Sequence, residues 1–393
     1  MTKREELNME LSRNVQKIEI SGIRRFYNKV KEIEGAISLT LGEPDFPIPI
    51  EVKEAIITAV KENKTSYTPN PGIVELRREI SKYLEIQNIE FSEDEICVTV
   101  GGSEALLDTF LCILNEGDKV LVPDIAYSAY ESCVKLAGGE VLNYKLKEDL
   151  SIDFQGLREV IKRERPKAIV LSYPSNPTGM LLSKMECEEL YEILKDEEIF
   201  IISDEMYSSI VFEEYYSVAM YKELKNKLIL VGGFSKMFSM TGIRVGYVAA
   251  HTETLNNLIK VHQYNVSCAP SIGQYGAVEG LKKSMYHIDY IKKELKERMD
   301  FVYDRLVSMG LEVIKPKGAF YIFPSIKKFG LTSEEFAERL LKEAKVAVVP
   351  GSAFGMGGEG YIRISFCYSR NTLEKALRLM EDWILQLPIT KTK

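Results

Sequence analysis

Residues 228–247 read Leu228-Ile229-Leu230-Val231-Gly232-Gly233-Phe234-Ser235-Lys236-Met237-Phe238-Ser239-Met240-Thr241-Gly242-Ile243-Arg244-Val245-Gly246-Tyr247. The first four are apolar and two of them are β-branched, which predicts a buried strand. Two glycines end this strand, so Lys236 lies just past its carboxyl end, beside the hydroxyl of Ser235. Arg244 follows eight residues after Lys236. A lysine after a turn is ordinarily a surface residue, so the rest of the chain must show whether Lys236 differs.

Strand-like and helix-like segments alternate from Val52 to the 280s. The strand candidates are short and apolar, and Gly, Pro, Ser or Asp follows each: residues 96–100, 119–122, 168–172, 199–203 and 228–232. Helical segments lie between them, among them residues 104–114, 184–196 and 213–224. This alternation predicts an α/β fold with a mostly parallel central sheet flanked by helices. Ligands of such sheets bind at the carboxyl ends of the strands.

The pattern changes near Met285. A long charged helix over about residues 285–309 is followed by short strand-like segments and by a closing helix over about residues 372–385. We expect an N-terminal segment of residues 1–44 that packs with the small domain. A large cofactor-binding domain would span residues 45–284, and a small C-terminal α+β domain would span residues 285–393.

Composition excludes several classes of protein. With 45% hydrophobic and 28% charged residues, the chain is typical of a globular protein. A net charge of −7 argues against a nucleic-acid partner. No apolar run has transmembrane length, and residues 2–6 do not resemble a signal peptide. Six scattered cysteines without a C-x-x-C pair indicate a cytoplasmic location, and three isolated histidines predict no metal site. Histidine-based catalysis is therefore disfavoured, and a lysine base is expected.

Two motifs place polar side chains directly after predicted strands. Asp204 follows residues 199–203, and Tyr207 comes three residues later. A carboxylate there can keep a pyridinium nitrogen protonated, although aspartate is also a common helix N-cap. The second motif is Ser172-Tyr173-Pro174-Ser175-Asn176-Pro177-Thr178-Gly179. Its two prolines and glycine fix a loop that can aim Asn176 as a hydrogen-bond donor, and an ordinary turn is the alternative.

Three further features are weaker individually. Residues 100–106 join a strand to a helix through two glycines, and the N–H groups at such a helix start bind anions. Tyr127 follows another strand, where it either stacks on a flat ring or packs in the core. Arg363 lies between two isoleucines that share one face of a strand, so it points the other way. It either faces solvent or clamps a carboxylate.

Together these features indicate pyridoxal 5′-phosphate (PLP). This cofactor needs a lysine that forms an imine, and it needs a cup of hydroxyl and guanidinium groups for its phosphate. Lys236 with Ser235 and Arg244 meets both needs. A carboxylate such as Asp204 would in addition make the cofactor ring an electron sink.

The chain resembles the PLP-dependent class I/II aminotransferases of fold type I over essentially its full length. The matching strings occur in the order that the family has: Leu41-Gly42-Glu43-Pro44-Asp45-Phe46, Tyr67-Thr68-Pro69, Gly101-Gly102-Ser103, Tyr173-Pro174-Ser175-Asn176-Pro177-Thr178-Gly179, Ser203-Asp204-Glu205-Met206-Tyr207, Ser235-Lys236, Met240-Thr241-Gly242, Arg244-Val245-Gly246-Tyr247 and Arg363-Ile364-Ser365-Phe366. Several of these are weak singly, and their combination is specific.

This resemblance implies three catalytic residues. Lys236 would hold PLP and then act as the base of the 1,3-proton shift. Asp204 would pair with the pyridine nitrogen. Tyr207, together with Asn176, would hydrogen-bond the phenolic oxygen of the ring, on which Tyr127 would stack.

The resemblance also implies a phosphate site and a substrate site. The phosphate would be held by Gly102, Ser103, Ser235 and Arg244, with Tyr67 reaching in from the second subunit of a homodimer. Glu104 would also contact the cofactor. The substrate α-carboxylate would be bound by Arg363 with help from Asn176 and the backbone at Gly42. Two departures from the family pattern stand out. Ile243 occupies a position where many relatives carry Trp, and no arginine can be assigned to a distal carboxylate.

Within the family, residues 262–269 and 302–311 look like the branch that acts on N-acetyl-LL-2,6-diaminopimelate in lysine biosynthesis, whose near relatives act on aromatic amino acids. The reaction implied is ping-pong transfer of an amino group from an L-amino acid to a 2-oxo acid, most simply 2-oxoglutarate. A PLP-dependent C–S lyase of the same fold is the first alternative, since the same lysine would serve it. A PLP-binding regulator is the second, although the chain lacks the length and the basic patch of a DNA-binding domain.

Overall fold

The computed structural model describes residues 10–30 and 32–388; the remaining positions, which include residues 2–6, lie outside the described residues. The α-helices are α1 (Arg13–Gln16), α2 (Gly22–Val30), α3 (Ile50–Lys61), α4 (Val74–Ile86), α5 (Gly101–Ile113), α6 (Ala129–Leu136), α7 (Phe154–Glu164), α8 (Lys184–Leu194), α9 (Phe234–Met237), α10 (Thr252–Asn265), α11 (Ser271–Lys283), α12 (Met285–Ser308), α13 (Ser333–Ala344) and α14 (Arg370–Ile384). None of these helices combines the length and the hydropathy needed to traverse a bilayer.

The strands form one large sheet and two small ones. They are β1 (Ile37–Ser38), β2 (Ile96–Thr99), β3 (Lys119–Pro123), β4 (Glu140–Tyr144), β5 (Ala168–Ser172), β6 (Phe200–Asp204), β7 (Leu228–Gly233), β8 (Gly246–Ala250), β9 (Tyr321–Ile322), β10 (Val346–Ala347), β11 (Val349–Pro350) and β12 (Ile362–Ser365). The large sheet has the order β2-β8-β7-β6-β5-β3-β4. Only β8 runs antiparallel to its neighbours. The predicted α/β fold with a mostly parallel central sheet flanked by helices is confirmed.

Helices cover both faces of the large sheet, so its strands are buried on both sides. Successive residues of β3 show this, since Val120 and Val122 belong to one core cluster and Leu121 to another. The first cluster includes Phe110 of α5 and Leu258 of α10. A parallel strand that is buried on both faces is apolar at nearly every position. The sequences of these strands are therefore continuous hydrophobic runs.

The C-terminal part has a core of its own, built around the antiparallel sheet β11-β12-β9. The long helix predicted near residues 285–309 is α12, and the closing helix is α14. The N-terminal segment contacts this part: Ile37 of β1 pairs in parallel with Val346 of β10, and Phe26 of α2 lies in the same core cluster.

The helix predicted over residues 213–224 is wrong. The structure has two short 3-10 turns there, Val218–Met220 and Lys222–Lys227. The physical reason is the buried carboxylate of Glu205, which accepts hydrogen bonds from the hydroxyls of Tyr215 (2.6 Å) and Ser217 (2.5 Å). Satisfying a buried charge outweighs the weak helical propensity of this segment.

Candidate active site

A cavity of about 640 Å³ opens at the carboxyl ends of β5, β6 and β7. Parallel strands bring their carboxyl ends to one edge, so motifs far apart in sequence meet there. Among the residues predicted to form the site, eleven line this cavity: Gly42, Gly102, Ser103, Tyr127, Asn176, Asp204, Tyr207, Ser235, Lys236, Arg244 and Arg363.

The amine of Lys236 lies inside this cavity. The strand β7 ends at Gly233, and the short helix α9 then carries Lys236. Its Nζ donates a hydrogen bond to the carbonyl oxygen of Gly42 at 2.5 Å. Burial lowers the pKa of Lys236 from 10.5 to about 8, because the charged ammonium loses hydration there. A useful fraction of this amine is therefore neutral, and so nucleophilic and basic, near neutral pH.

Asp204 is the last residue of β6 and is buried. Its Oδ2 accepts a hydrogen bond from the hydroxyl of Tyr130 at 2.7 Å, and its Oδ1 accepts one from the backbone N–H of Met206 at 3.1 Å. Burial raises the pKa of Asp204, and these two hydrogen bonds oppose the rise. Asp204 is thus a desolvated carboxylate held in one orientation.

Arg363 and Asn176 form a second polar pair in the cavity. Arg363 is fully buried in β12, and its Nη1 donates to the side-chain oxygen Oδ1 of Asn176 at 2.7 Å. Its Nη2 donates to the carbonyl oxygen of Thr40 at 2.5 Å, while Nε has no partner among the described residues. Because Oδ1 of Asn176 accepts this hydrogen bond, its amide Nδ2 is left as a donor. A guanidinium with an open N–H suits a carboxylate.

Aromatic side chains shape the remaining walls. The hydroxyl of Tyr207 lies 2.8 Å from that of Tyr321, whose ring stacks under the guanidinium of Arg363 at 4.3 Å. Tyr127 meets Tyr130 edge to face, with ring centroids 5.8 Å apart. Burial raises the pKa of both Tyr127 and Tyr207, so these hydroxyls stay protonated and can donate hydrogen bonds.

An anion-binding cup lies where α5 begins. Gly102 and Ser103 are in its first turn, so their N–H groups lack partners within the helix. Gly101 has φ +72°, and a Cβ added there would lie 2.5 Å from Nη2 of Arg244. Only glycine allows this conformation and this approach of the guanidinium. Ser235 lines the same cavity, so hydroxyls, N–H groups and a cation share one place.

Two predicted residues do not line the cavity. Tyr67 is 86% exposed, in a separate surface depression with Val100 and Cys268. The carboxylate of Glu104 points away from the cavity: it accepts hydrogen bonds from the backbone N–H of Val100 and, at 2.8 Å, from Nδ1 of His262. The contact of Glu104 with the cofactor therefore stays a prediction for its backbone, because its side chain is engaged with Val100 and His262.

The histidines were expected to form no metal-ligand cluster, but His262 lies in a buried group with two carboxylates. It is buried beside Glu104 and Asp108, with ligand-type atoms of the three residues within 4.8 Å of one another. Its Nε2 faces the carbonyl oxygen of Asn70 at 2.9 Å and its Nδ1 faces Glu104, so both ring nitrogens meet acceptors. This arrangement is that of a protonated imidazole in a hydrogen-bond network. Glu104 and His262 are 158 residues apart, so sequence spacing could not predict it.

Comparison with known proteins identifies the family of this chain. The sequence model for "Aminotransferase class I and II" matches residues 34–379. A probable N-acetyl-LL-diaminopimelate aminotransferase of Bacillus subtilis is 44% identical, over 96% of this chain and 96% of that protein. An aspartate aminotransferase of Pyrococcus abyssi is 39% identical, over 97% and 100%. The crystal structure of an aromatic aminotransferase from Pyrococcus horikoshii superposes with a TM-score of 0.87 at 38% identity, covering 92% and 99%.

The chain belongs to the class I and II aminotransferases. It is therefore a transferase of nitrogenous groups, and PLP is its cofactor. The named relatives are all aminotransferases, and nothing among them points to the C–S lyase considered above. Their three different substrates leave the amino donor of this aminotransferase to be argued from its own residues.

The residues of this aminotransferase fit PLP. An amine of lowered pKa, Lys236, and a buried carboxylate, Asp204, line one cavity with the anion cup at the start of α5. The guanidinium of Arg244 can lie this close to residue 101 only because Gly101 has no side chain. Arg363 lines the same cavity, and its bonds to Asn176 and Thr40 use one N–H on each terminal nitrogen, so one N–H on each is left for a substrate group.

Sequence reasoning assigned no role to nine residues that line the cavity, among them Tyr130, Tyr321 and Arg24. Tyr130 lies in the first turn of α6, and its backbone N–H donates to the carbonyl oxygen of Tyr127 at 3.1 Å in the turn that leads into this helix. The short spacing from Tyr127 was the available signal. Tyr321 belongs to the apolar strand β9, where a tyrosine is expected to pack in the hydrophobic core. Arg24 comes from α2, and nothing local distinguishes it from the neighbouring Arg25.

Proposed function

We propose that this aminotransferase moves the amino group of an L-amino acid to 2-oxoglutarate by a ping-pong reaction, with N-acetyl-LL-2,6-diaminopimelate as the donor and aromatic amino acids as the second candidate. The observation that carries the reaction is that Lys236, Asp204 and the Arg363–Asn176 pair line one cavity. The donor is supported by the 44% identity to the Bacillus subtilis relative. A cytoplasmic reaction fits six free cysteines, which stay reduced there.

Arg363 would orient the substrate. The substrate α-carboxylate would take the N–H groups of Nη1 and Nη2 that Asn176 and Thr40 leave free, and the amide of Asn176 would donate beside it. Because Arg363 is fixed by Asn176, by Thr40 and by stacking on Tyr321, it does not have to be ordered when the substrate binds. Such preorganisation reduces the entropic cost of binding and aims the α-amino group at the cofactor.

Lys236 would hold the cofactor and then move the proton. PLP, when bound, supplies a carbonyl group that amines can join and a ring that takes up the electrons released from the substrate Cα. Lys236 would take the Cα proton, because its lowered pKa leaves a larger fraction of the amine neutral than an ordinary lysine would have. Asp204 would keep the ring nitrogen protonated, with Tyr130 and the N–H of Met206 supporting its charge.

The test is to mix the PLP-loaded protein with single amino acids and no acceptor. Transamination predicts that the PLP absorbance converts to that of pyridoxamine phosphate, with one 2-oxo acid formed per site and no ammonia. Ranking donors by the rate of this conversion identifies the substrate class. Steady release of ammonia with a 2-oxo acid would show a lyase instead, and absorbance that no amino acid changes would contradict both enzymatic functions.

We also propose a homodimer whose sites are shared. The 86% exposure of Tyr67 supports this, because an exposed tyrosine on a turn-rich loop is free to reach a neighbouring chain. The test mixes chains carrying Lys236→Ala with chains carrying Tyr67→Ala. If Tyr67 acts in the partner's site, a mixed dimer has one site with both Lys236 and Tyr67 intact, and activity returns on mixing. Activity that stays at the level of the separate variants would show that Tyr67 acts within its own chain or not at all.

A further inference from the structure

A buried ion pair adjoins the anion-binding cup and has no part in the reaction proposed above. His262 of α10 is fully buried, and its Nδ1 donates to Oε1 of Glu104 at 2.8 Å. Its Nε2 donates to the carbonyl oxygen of Asn70 at 2.9 Å. Although burial opposes the change, the hydrogen bond to Glu104 raises the pKa of His262 and so favours the imidazolium. Burying such a pair is costly and seldom adds stability, so its presence calls for another role.

The carboxylate of this pair holds the turn that forms the cup. Glu104 lies in the first turn of α5, and its Oε2 accepts a hydrogen bond from the backbone N–H of Val100. The carbonyl oxygen of Val100 accepts from Nη2 of Arg244, the proposed phosphate ligand, at 3.4 Å. Both backbone groups of Val100 are thus held by charged side chains. The next residue, Gly101, has a positive φ and the conformational freedom of glycine, so the turn depends on such contacts to fix it.

The first turn of α5 begins with a residue that cannot cap it. At most helix starts a Ser, Thr, Asn or Asp side chain accepts a hydrogen bond from the second or third N–H. Val100 occupies that position, and valine has no oxygen to offer. The N–H groups of Gly102 and Ser103 are thereby left for an anion. Glu104 reaches back to the N–H of Val100 instead, which is one half of a capping box and fixes the turn without using those N–H groups.

His262 also fixes the loop that carries Tyr67. The carbonyl oxygen of Asn70 in this loop accepts from Nε2 of His262. The side-chain amide of Asn70 donates to the carbonyl oxygen of Ser267, just after α10, at 2.7 Å. The loop is therefore tied at two points to α10 and the residues that follow it. One imidazole ring connects the first turn of α5 to this loop.

We propose that Glu104 and His262 are positioning residues for the cofactor phosphate, a role that rests on the start of α5 being the phosphate site of the proposed function. His262 holds the carboxylate of Glu104, and Glu104 holds the N–H of Val100, so the open N–H groups of the first turn are aimed before the phosphate binds. The imidazolium also balances the negative charge of Glu104, which would otherwise repel a phosphate in the same turn. Neither side chain lines the cavity, so the pair acts through Val100.

The experiment titrates the PLP-free protein with PLP, with inorganic phosphate, and with pyridoxal, which lacks the phosphate. Glu104→Ala leaves the N–H of Val100 and Nδ1 of His262 without their acceptor. It should weaken PLP and inorganic phosphate about 10- to 100-fold and pyridoxal less than about threefold. Glu104→Gln is the conservative variant, because its side-chain oxygen can accept from Val100 while its amide donates to Nδ1 of a neutral imidazole. Since every hydrogen bond is kept, PLP affinity should stay within about threefold of the unaltered protein.

Two further variants complete the test. His262→Leu removes both N–H donors and should repeat the selective loss of PLP and phosphate, which keeps the test available if Glu104→Ala does not fold. Asn265→Ala is the control, because it removes another hydrogen bond between α10 and α5, the one to Asp108 at 3.0 Å. It should leave the ratio of PLP to pyridoxal affinity unchanged.

Four results would overturn the assignment of the pair. Glu104→Ala changes no affinity, or it weakens PLP and pyridoxal equally, as a purely structural role would; Glu104→Gln binds PLP as poorly as Glu104→Ala; Asn265→Ala has the same effect; or the unaltered protein binds PLP no more tightly than pyridoxal, so that α5 does not begin at a phosphate site. These are binding measurements. They decide the role of Glu104 and His262 even if the protein transaminates no amino acid and the proposed function fails.

Discussion

Nη1 of Arg363 donates a hydrogen bond to Oδ1 of Asn176 at 2.7 Å, although the two residues are 187 positions apart. Arg363 belongs to β12 of the small sheet, and Asn176 lies in the loop after β5 of the large sheet. The carbonyl oxygen of Thr40 accepts from Nη2, so a third segment meets the same guanidinium. The arginine that we propose as the ligand of the substrate carboxylate is therefore positioned by the joining of both sheets rather than by its own strand.

Arg363→Lys should lower kcat/KM for every amino donor by about 100-fold or more. Lysine cannot make both hydrogen bonds in the plane of a fork, and it loses the stacking on Tyr321. Steady-state kinetics with aromatic and acidic donors measures this loss, which should be uniform across donors. Arg370→Lys, at an exposed residue paired with Glu374, is the control that should change nothing. A loss confined to acidic donors would contradict the role given to Arg363.

The rate at which PLP-free protein binds PLP covalently should rise with pH and level off just above pH 8. The neutral amine is the nucleophile, and the pKa of Lys236 is about 8 because the amine is buried. An ordinary lysine would keep gaining reactivity up to about pH 10. Stopped-flow absorbance between about pH 6 and 10 distinguishes the two profiles. Lys236→Ala should form no covalent complex and lose nearly all turnover; near-normal turnover in that variant would refute the assignment.

Tyr130→Phe should reduce kcat about tenfold and move the acidic limb of its pH profile to higher pH. Tyr130 donates to Oδ2 of Asp204, and this bond opposes the rise in pKa that burial causes. Without it Asp204 has a still higher pKa, so on acidification it is protonated, and activity is lost, at a higher pH. Tyr191→Phe, which alters a stacked pair away from the site, is the control. An unshifted acidic limb would show that Tyr130 acts only in packing.

Much of this site could be predicted because its motifs follow buried strands. Asp204, Lys236 and Asn176 each come just after an apolar run, and parallel pairing of β5, β6 and β7 brings those ends to one edge. Once the runs are recognised, the meeting of the motifs follows from geometry. The fold class was predictable for the same reason, since continuous apolar runs are the signature of strands covered on both faces.

The features that could not be predicted from the sequence depend on contacts between distant segments. Strand β8 was not recognised, because Gly246 begins it and its place between β2 and β7 is set by pairing with both. The helix predicted at residues 213–224 fails because Glu205 needs the hydroxyls of Tyr215 and Ser217. Arg24 reaches the cavity only through the packing of α2 on the small domain. A local sequence pattern does not show which distant residues will be in contact.

Gly42→Ala should lower both the melting temperature and turnover. A Cβ at this position would lie 1.7 Å from the hydroxyl oxygen of Tyr321, so the ring under Arg363 must shift. Overpacking of this kind costs about 1–3 kcal/mol. Gly242→Ala is a matched control, since a Cβ there meets nothing within 4 Å and its φ lies outside the strained positive range. Calorimetric melting with steady-state kinetics measures both effects. Equal melting temperatures for the two variants would contradict the close approach of Gly42 and Tyr321.

Asp108→Asn should reduce the loss of folding stability that occurs as the pH rises from about 4 to 7. Burial, and then the adjacent Glu104, raise the pKa of Asp108 from 3.8 to about 7. A raised pKa means that the folded protein binds more protons than the unfolded chain over this window, so Asp108 stabilises the fold at low pH and loses that contribution as the pH rises. Asparagine keeps the acceptor for Asn265, which now donates at 3.0 Å, without the charge.

Melting temperatures from about pH 4 to 7 measure this effect. Relative to the unaltered protein, Asp108→Asn should gain roughly 2–4 °C more at pH 7 than at pH 4. His262 has a pKa that its hydrogen bond to Glu104 and the nearby charge of Asp108 raise against the effect of burial, so Asp108→Asn also lowers the pKa of His262, which changes the pH dependence in the same direction. Asp149→Asn is the control of opposite sign, because hydrogen bonds from Ser151 lower the pKa of Asp149 and that contribution is lost on acidification. Parallel pH profiles for Asp108→Asn and the unaltered protein would mean that Asp108 is ionised in the folded state, and that the buried network carries its charge on His262 and both carboxylates.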